Sequence, residues 1–352
     1  MMLKRAMQTR TAVHDEHAAQ RQREQACGSA LRLTAVVQTA AQLVLWVTFY
    51  GYDRAAQAVW QSALLLALPV AGLVCLWRAG GAQKTAGLLL LPCLLLDAAF
   101  LLYALCGFID GLIPEYPYAA GAVCAAAVCW LTLLFSRREG VANGTNVLKY
   151  FLLILFLLGA VFLRASSRAD RLWPILGQGL SNTALTTLGG TGAVWGAALL
   201  FVLPDQKETS VKAAALCTAL PWAVGAVWAL WYGFLHPWAP GDELRVAERL
   251  MGLARHAADV INYELAGLMW LVLLPVSLTC CAMSGEILLS RACPRVPRAL
   301  STGMLLLPAL LAVCLLPRQL PQWLKLLLPW RGAWTAAAGA AALILKRRER
   351  AR

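Results

Sequence analysis

Charge is what this sequence has least of. Asp, Glu, Lys and Arg supply 14% of its 352 residues, where a soluble domain carries nearer 25%. Histidine is scarcer still, with 4 residues. There are 11 cysteines, but no two have C-x-x-C spacing. Cys75, Cys93, Cys106, Cys124, Cys129, Cys217, Cys280, Cys281 and Cys314 all lie in or beside apolar runs with no histidine near them. That placement excludes a metal cluster and a disulfide framework, and leaves the thiols as small buried hydrophobes. No nucleophile–base pair and no nucleotide loop can be found. The run Gly189–Gly192 (GGTG) lacks the Lys-Ser/Thr of a phosphate loop and follows no strand. The chain does not read as an enzyme, and nothing in it calls for a cofactor. Residues 1–30 carry no apolar core before a cleavage-like site, so they do not form a signal peptide.

What is present is apolar residue, 60% of the chain, gathered into runs long enough to cross a bilayer. The expected fold class is an all-α integral membrane protein of about ten transmembrane helices. The spans run at about 33–50, 56–77, 86–108, 118–135, 147–163, 182–203, 211–235, 266–289, 302–316 and 333–345. Residues 1–30 read as a polar cytoplasmic arm, 31–345 as one permease-like transmembrane domain, and 346–352 as a basic cytoplasmic tail. The net charge of +13 would point to nucleic acid in a soluble protein. Here the basic residues sit in short loops and tails, so the partner they imply is the bilayer surface and not nucleic acid. With ten spans, 21 of the 31 lysines and arginines fall on the side of the two termini, which places both ends in the cytoplasm. The connection 236–264 has apolar residues at helical spacing, from Val246 to Ile261, and reads as an amphipathic helix at the outer face.

The chain is organised around Leu172–Pro204. There a span-length apolar segment is interrupted by Gly189, Gly190, Thr191 and Gly192. Each glycine costs a helix interior about 1 kcal/mol relative to alanine. Backbone that leaves the helix inside a bilayer survives only where protein or a polar cavity covers it, and a broken span is where secondary transporters put their ligand. The alternative is that the glycines only permit close helix packing. A second candidate is Asp97, a carboxylate inside the third span. Its insertion costs roughly 2.5–3.5 kcal/mol, so it should face the bundle interior as a ligand, cation or proton site, or as a hydrogen-bonded packing residue. Glu264 and Glu286, near the two ends of the eighth span, read as markers of the water interface.

Several segments resemble the spore germination permeases, the membrane-embedded B subunits of endospore germinant receptors within the amino acid–polyamine–organocation superfamily. Leu172–Gly179 (LWPILGQG) is similar to that family's entry to the sixth span, and Leu199–Pro204 (LLFVLP) to its exit. Val260–Trp270 (VINYELAGLMW) is similar to its approach to the eighth span, and Ser136–Gly144 to its fourth-to-fifth connection. The resemblance implies two inverted five-helix repeats, roughly 31–165 and 172–317. It also implies a small nutrient such as an amino acid as ligand, A and C receptor subunits as partners, and a bacterial cell or spore inner membrane as location. Ligand-facing backbone then falls on Gly189, Gly190 and Gly192. The superfamily's first span is unwound around glycines, but Leu33–Val47 has none, and Gln38 and Gln42 offer polar side chains in their place. Beside a receptor stand two other readings: a secondary transporter coupled to protons or sodium through Asp97, and a scaffold that kept the fold and lost the site.

Overall fold

Proline opens two of the membrane helices in the computed structural model, at the positions where a helix tolerates it. Pro117 caps α3 (Tyr118–Phe135) with φ −61°, and Pro297 caps α5 (Arg298–Leu315) with φ −62°. The structure describes residues 67–78, 88–112, 117–138 and 263–351, with isolated positions at 140, 141, 144, 150, 223 and 227. The first described element is α1 (Ala67–Arg78). A 3-10 turn (Leu88–Leu90) then leads into α2 (Leu91–Leu112). After α3 come α4 (Tyr263–Ala292), α5, α6 (Leu320–Leu327), a second 3-10 turn (Leu328–Trp330) and α7 (Arg331–Ala351). Every regular element among the described residues is helical, and four are long and apolar enough to cross a membrane: Leu88–Asp110, Tyr118–Phe135, Leu271–Ser290 and Arg298–Leu315. These fall on the third, fourth, eighth and ninth spans expected from hydropathy.

The four pack as one group, each of α2 and α3 touching both α4 and α5. Burial separates their roles. The apolar window of α4 is 78% buried and that of α2 is 61%, against 28% for α3 and 33% for α5. Thus α2 and α4 form the centre, and α3 and α5 turn most of their surface to lipid. That is why α5 shows an exposed stripe of Leu300, Met304, Leu307, Leu311 and Leu315, spaced for one helix face. The core is filled by Phe100, Phe108, Leu94, Leu101 and Leu102 of α2 and by Leu274, Leu278 and Cys281 of α4.

Polar contacts fix the register. The thiol of Cys281 donates to Leu94 O at 3.3 Å, and that of Cys129 to Pro275 O at 3.5 Å. Pro275 lies inside α4. Its carbonyl also accepts from Thr279 Oγ1 at 2.8 Å. The indole of Trp130 donates to Ala299 O at 3.1 Å, tying α3 to α5.

α7 lies along α1. Gly72 and Gly339 let the two backbones meet. A Cβ on Gly72 would stand 2.5 Å from Thr335 O and 2.7 Å from Ala336 Cα. At the end of this pair, Lys346 Nζ donates to the carbonyl of Arg78. The residues expected to form a basic tail from 346 continue α7 as helix to Ala351.

Candidate functional site

A carboxylate within a membrane helix must find a partner, and Asp97 finds Arg331. Both side chains are 0% exposed, and an Arg331 Nη1 donates to Asp97 Oδ1 as a salt bridge. Asp97 is the tenth residue of the Leu88–Asp110 span, about 14 Å from its start at 1.5 Å per residue. That is close to the middle of a hydrocarbon core of about 30 Å. The pair is therefore a mid-membrane feature. It corrects the sequence reading of Arg331, which stood among the outer-loop charges before a last span beginning at 333.

Arg331 reaches this depth because the last span starts earlier than its apolar run. α6, the 3-10 turn and α7 run on with helical dihedrals at Leu327, Leu328 and Arg331. Pro329, within the turn, has no N–H to give. The Leu328 carbonyl accepts from the backbone N–H of Arg331 and also from its Nε at 3.2 Å. The guanidinium is thus anchored to its own turn before it meets Asp97. A 3-10 turn within a helix is a common place for function or for a hinge.

Two polar atoms at this level have no hydrogen-bond partner among the described residues: Asp97 Oδ2 and Ser277 Oγ. Ser277 is fully buried. Leu94 meets Cys281, and α2 runs antiparallel to α4. One turn further along each helix brings Asp97 and Ala98 level with Ser277. Buried polar groups are nearly always paired, so two orphans at one height, beside an ion pair of zero net charge, mark the polar centre of the described core. Among the described residues no group of three or more His, Cys, Asp or Glu side chains is placed to hold a metal ion.

A second charged cluster sits at one end of the core. Glu286 is 2% exposed and takes two hydrogen bonds from Arg138, Nη2 to Oε1 at 2.6 Å and Nε to Oε2 at 2.9 Å. Arg138 Nη2 also donates to Ser290 Oγ at 3.0 Å. Arg298 Nε stands 3.9 Å from the same carboxylate, and its Nη2 donates to Ser136 O at 3.0 Å. Glu286 lies near the end of its span, as the sequence suggests, but is buried and does not face water, because a bidentate arginine closes over it. We expect Glu286→Gln to cost about 1–2 kcal/mol, since Arg138 stays partly solvated. A thermal melt checks the size, and the cycle with Arg138→Gln should show coupling between the two.

Gly189, Gly190, Thr191, Gly192, Gln38 and Gln42 lie outside the described residues, as does the expected amphipathic helix of 236–264. Of the sequence candidates, the structure places Asp97 and pairs it with Arg331, with Ser277 buried on α4 one turn from Cys281.

Among solved structures, the chain is similar to a mutant of the Eremococcus coleocola manganese transporter, with a TM-score of 0.53 at 13% identity, over 89% of this chain and 76% of that one. It is similar also to Mhp1, a nucleobase-cation-symport-1 family transporter, closed with bromovinylhydantoin bound. There the TM-score is 0.51 at 15% identity, over 86% and 74% of the two chains. The inward-facing conformation of Mhp1 matches with a TM-score of 0.52 at 15% identity, over 93% and 77%. The chain has a transporter fold. No protein-family model matches it, and no curated protein matches it. The neighbours are transporters and not enzymes. Within the transporter fold, Asp97 lies on a span of the four-helix core and Arg331 at the junction of the second 3-10 turn with α7.

Proposed function

We propose that this protein is a membrane receptor subunit built on a transporter fold, which binds a small zwitterionic or uncharged nutrient such as an amino acid. The observation that carries the reading is the Asp97–Arg331 pair. A carboxylate whose charge is already matched by a buried guanidinium is poorly suited to take up and release a coupling cation. Asp97 Oδ2 and Ser277 Oγ, unpartnered among the described residues, supply an acceptor and a hydroxyl to a polar ligand without adding net charge. Gly189, Gly190, Thr191 and Gly192 of the sixth span, with Gln38 and Gln42 of the first, complete the site in this proposal. Binding would bias two arrangements of the helices by its differential affinity for them. The resemblance to germination permeases supports A and C receptor subunits as the listeners and the spore inner membrane as the setting. Both termini are then cytoplasmic. In support, Arg78, Arg137, Arg138, Arg295, Arg298, Lys346, Arg347 and Arg348 gather at one end of the described helices, as the positive-inside rule asks of a cytoplasmic face.

The second reading, a proton- or sodium-coupled amino acid transporter, keeps the same fold and asks more of Asp97. Two measurements separate them. In a thermal-shift screen of amino acids and related solutes, a true ligand at 100 times its dissociation constant adds about 2.7 kcal/mol of stability. Ser277→Ala should leave the unliganded melt unchanged, because its hydroxyl has no partner to lose among the described residues, and should shrink the ligand shift. In proteoliposomes, an imposed proton or sodium gradient should drive no accumulation of the ligand. Gradient-driven uptake would install the transporter reading. No shift with any solute would remove the binding site altogether.

A further inference from the structure

The charged cluster around Glu286 does more than close a helix end. It holds two guanidiniums, Arg138 and Arg298, on one carboxylate, and both arginine side chains stay about two-fifths exposed, at 40% and 38%. Arg137, next in the chain to Arg138, is exposed. So is Arg295, in the turn between α4 and α5, where Val296 N donates to Cys293 O at 3.1 Å. The described acidic groups at this end are Glu286, already claimed, and Glu349, out on the tail of α7. Among the described residues the cluster thus carries a positive excess; Glu139, next to Arg138 in the chain, lies outside them.

Directly beside it the surface turns apolar. Phe135, the last residue of α3, is 80% exposed, and Leu300 and Met304 of α5 are 57% and 54% exposed. The seam between these helices is bridged by Trp130 on Ala299 O. It is shallow at Gly303, where a Cβ would meet only the Trp130 indole nitrogen, at 3.8 Å. Cations at a helix end, with an exposed apolar seam running from them into the membrane, match one molecule in chemistry and orientation: an anionic head on acyl chains.

We propose that the seam between α3 and α5 is a binding site for an anionic phospholipid. Its phosphate sits on Arg137, Arg138, Arg295 and Arg298, and its chains lie along Phe135, Leu300 and Met304. Basic pockets between membrane helices recognise anionic headgroups by this combination. A zwitterionic lipid fits less well, because its amine meets the same guanidiniums. The site does not depend on whether the protein senses or transports. It would make the four-helix core responsive to the lipid around it.

The test is lipid retention by the purified full chain, read by native mass spectrometry from nanodiscs of equal phosphatidylglycerol and phosphatidylcholine. The parent should keep phosphatidylglycerol in preference. The variant Arg137→Gln/Arg295→Gln spares both side chains that hold Glu286, and should lose about thirtyfold of that preference, at about 1 kcal/mol for each of the two cations. Arg347→Gln/Arg348→Gln, an equal change of charge on α7, should keep it. Millimolar inorganic phosphate or glycerol phosphate should not displace the lipid. Equal retention of both lipids by the parent would overturn the proposal, and so would an equal loss in the α7 variant. Displacement by free phosphate would show a simple anion site in place of a lipid site.

Discussion

Replacing Arg331 with methionine should destabilise the protein by about 3–5 kcal/mol, the usual cost of stripping one partner from a buried ion pair. The argument is one of stranded charge. Asp97 is fully buried near the middle of the membrane, and Arg331 is the cation against it. Methionine fills much of the volume but leaves the carboxylate in a medium that cannot solvate it. Asp97→Leu should cost more. A lone carboxylate can take up a proton and become neutral, whereas a guanidinium holds its proton under all ordinary conditions. The double variant Asp97→Leu/Arg331→Met removes both charges and should return to within about 1 kcal/mol of the parent. Thermal unfolding in detergent, with size exclusion for monodispersity, reads all three. Equal melting of the parent and Arg331→Met would mean that the pair carries no charge compensation, and the neutral-site reading would fail with it.

How much of this could be read beforehand depends on which physical signal each feature leaves in a sequence. The span Tyr118–Phe135 was legible to the residue, because an eighteen-residue apolar run between Pro117 and Ser136 has few alternatives in a bilayer. Asp97 was legible as inward-facing for the same reason, since the cost of a carboxylate in lipid is local and one-dimensional. Its partner was not. Arg331 lies 234 residues away, and hydropathy trims charged residues off the ends of spans, which moved it to a loop. One clue was available. The apolar run 333–345 is too short to cross about 30 Å as helix. Extending it back through Leu320–Trp330 (LPQWLKLLLPW) gives the required length and carries Arg331 into the membrane. A short span and an unpaired carboxylate elsewhere, taken together, should prompt that extension. Glu286 failed for a related reason. Three residues from the expected end of its span at 289 it can be either wet or clasped, and only the fold brings Arg138 onto it. Apolar runs gave only an all-helical membrane protein; the transporter fold came from the resemblance carried by short segments such as Leu172–Gly179 and Val260–Trp270, and identities of 13–15% to the solved neighbours show how little of it is written in particular residues.

Gly339→Leu should be the second severe substitution, and it acts by steric force alone. A Cβ on Gly339 would fall within 2.8 Å of Gly72 Cα and nearer still to the Gly72 carbonyl. Those atoms are backbone and cannot swing aside. Helices in lipid gain no hydrophobic driving force from meeting, so their association rests on close packing between small residues. Even Gly339→Ala must push α1 from α7, at a cost of about 1–3 kcal/mol, and leucine should cost more. The damage should have a direction. α7 carries Arg331 at one end and holds the Arg78 carbonyl through Lys346 near the other, so it joins α1 to the core at the ion pair. In Gly339→Leu, hydrogen exchange over 67–78 should accelerate while α2–α5 stay protected by their own packing. The matching control is Gly140→Ala, where a new Cβ meets nothing within 4 Å, and stability should stay within about 0.5 kcal/mol of the parent. If Gly339→Leu melts and exchanges like that control, α1 does not rest on α7 through these glycines.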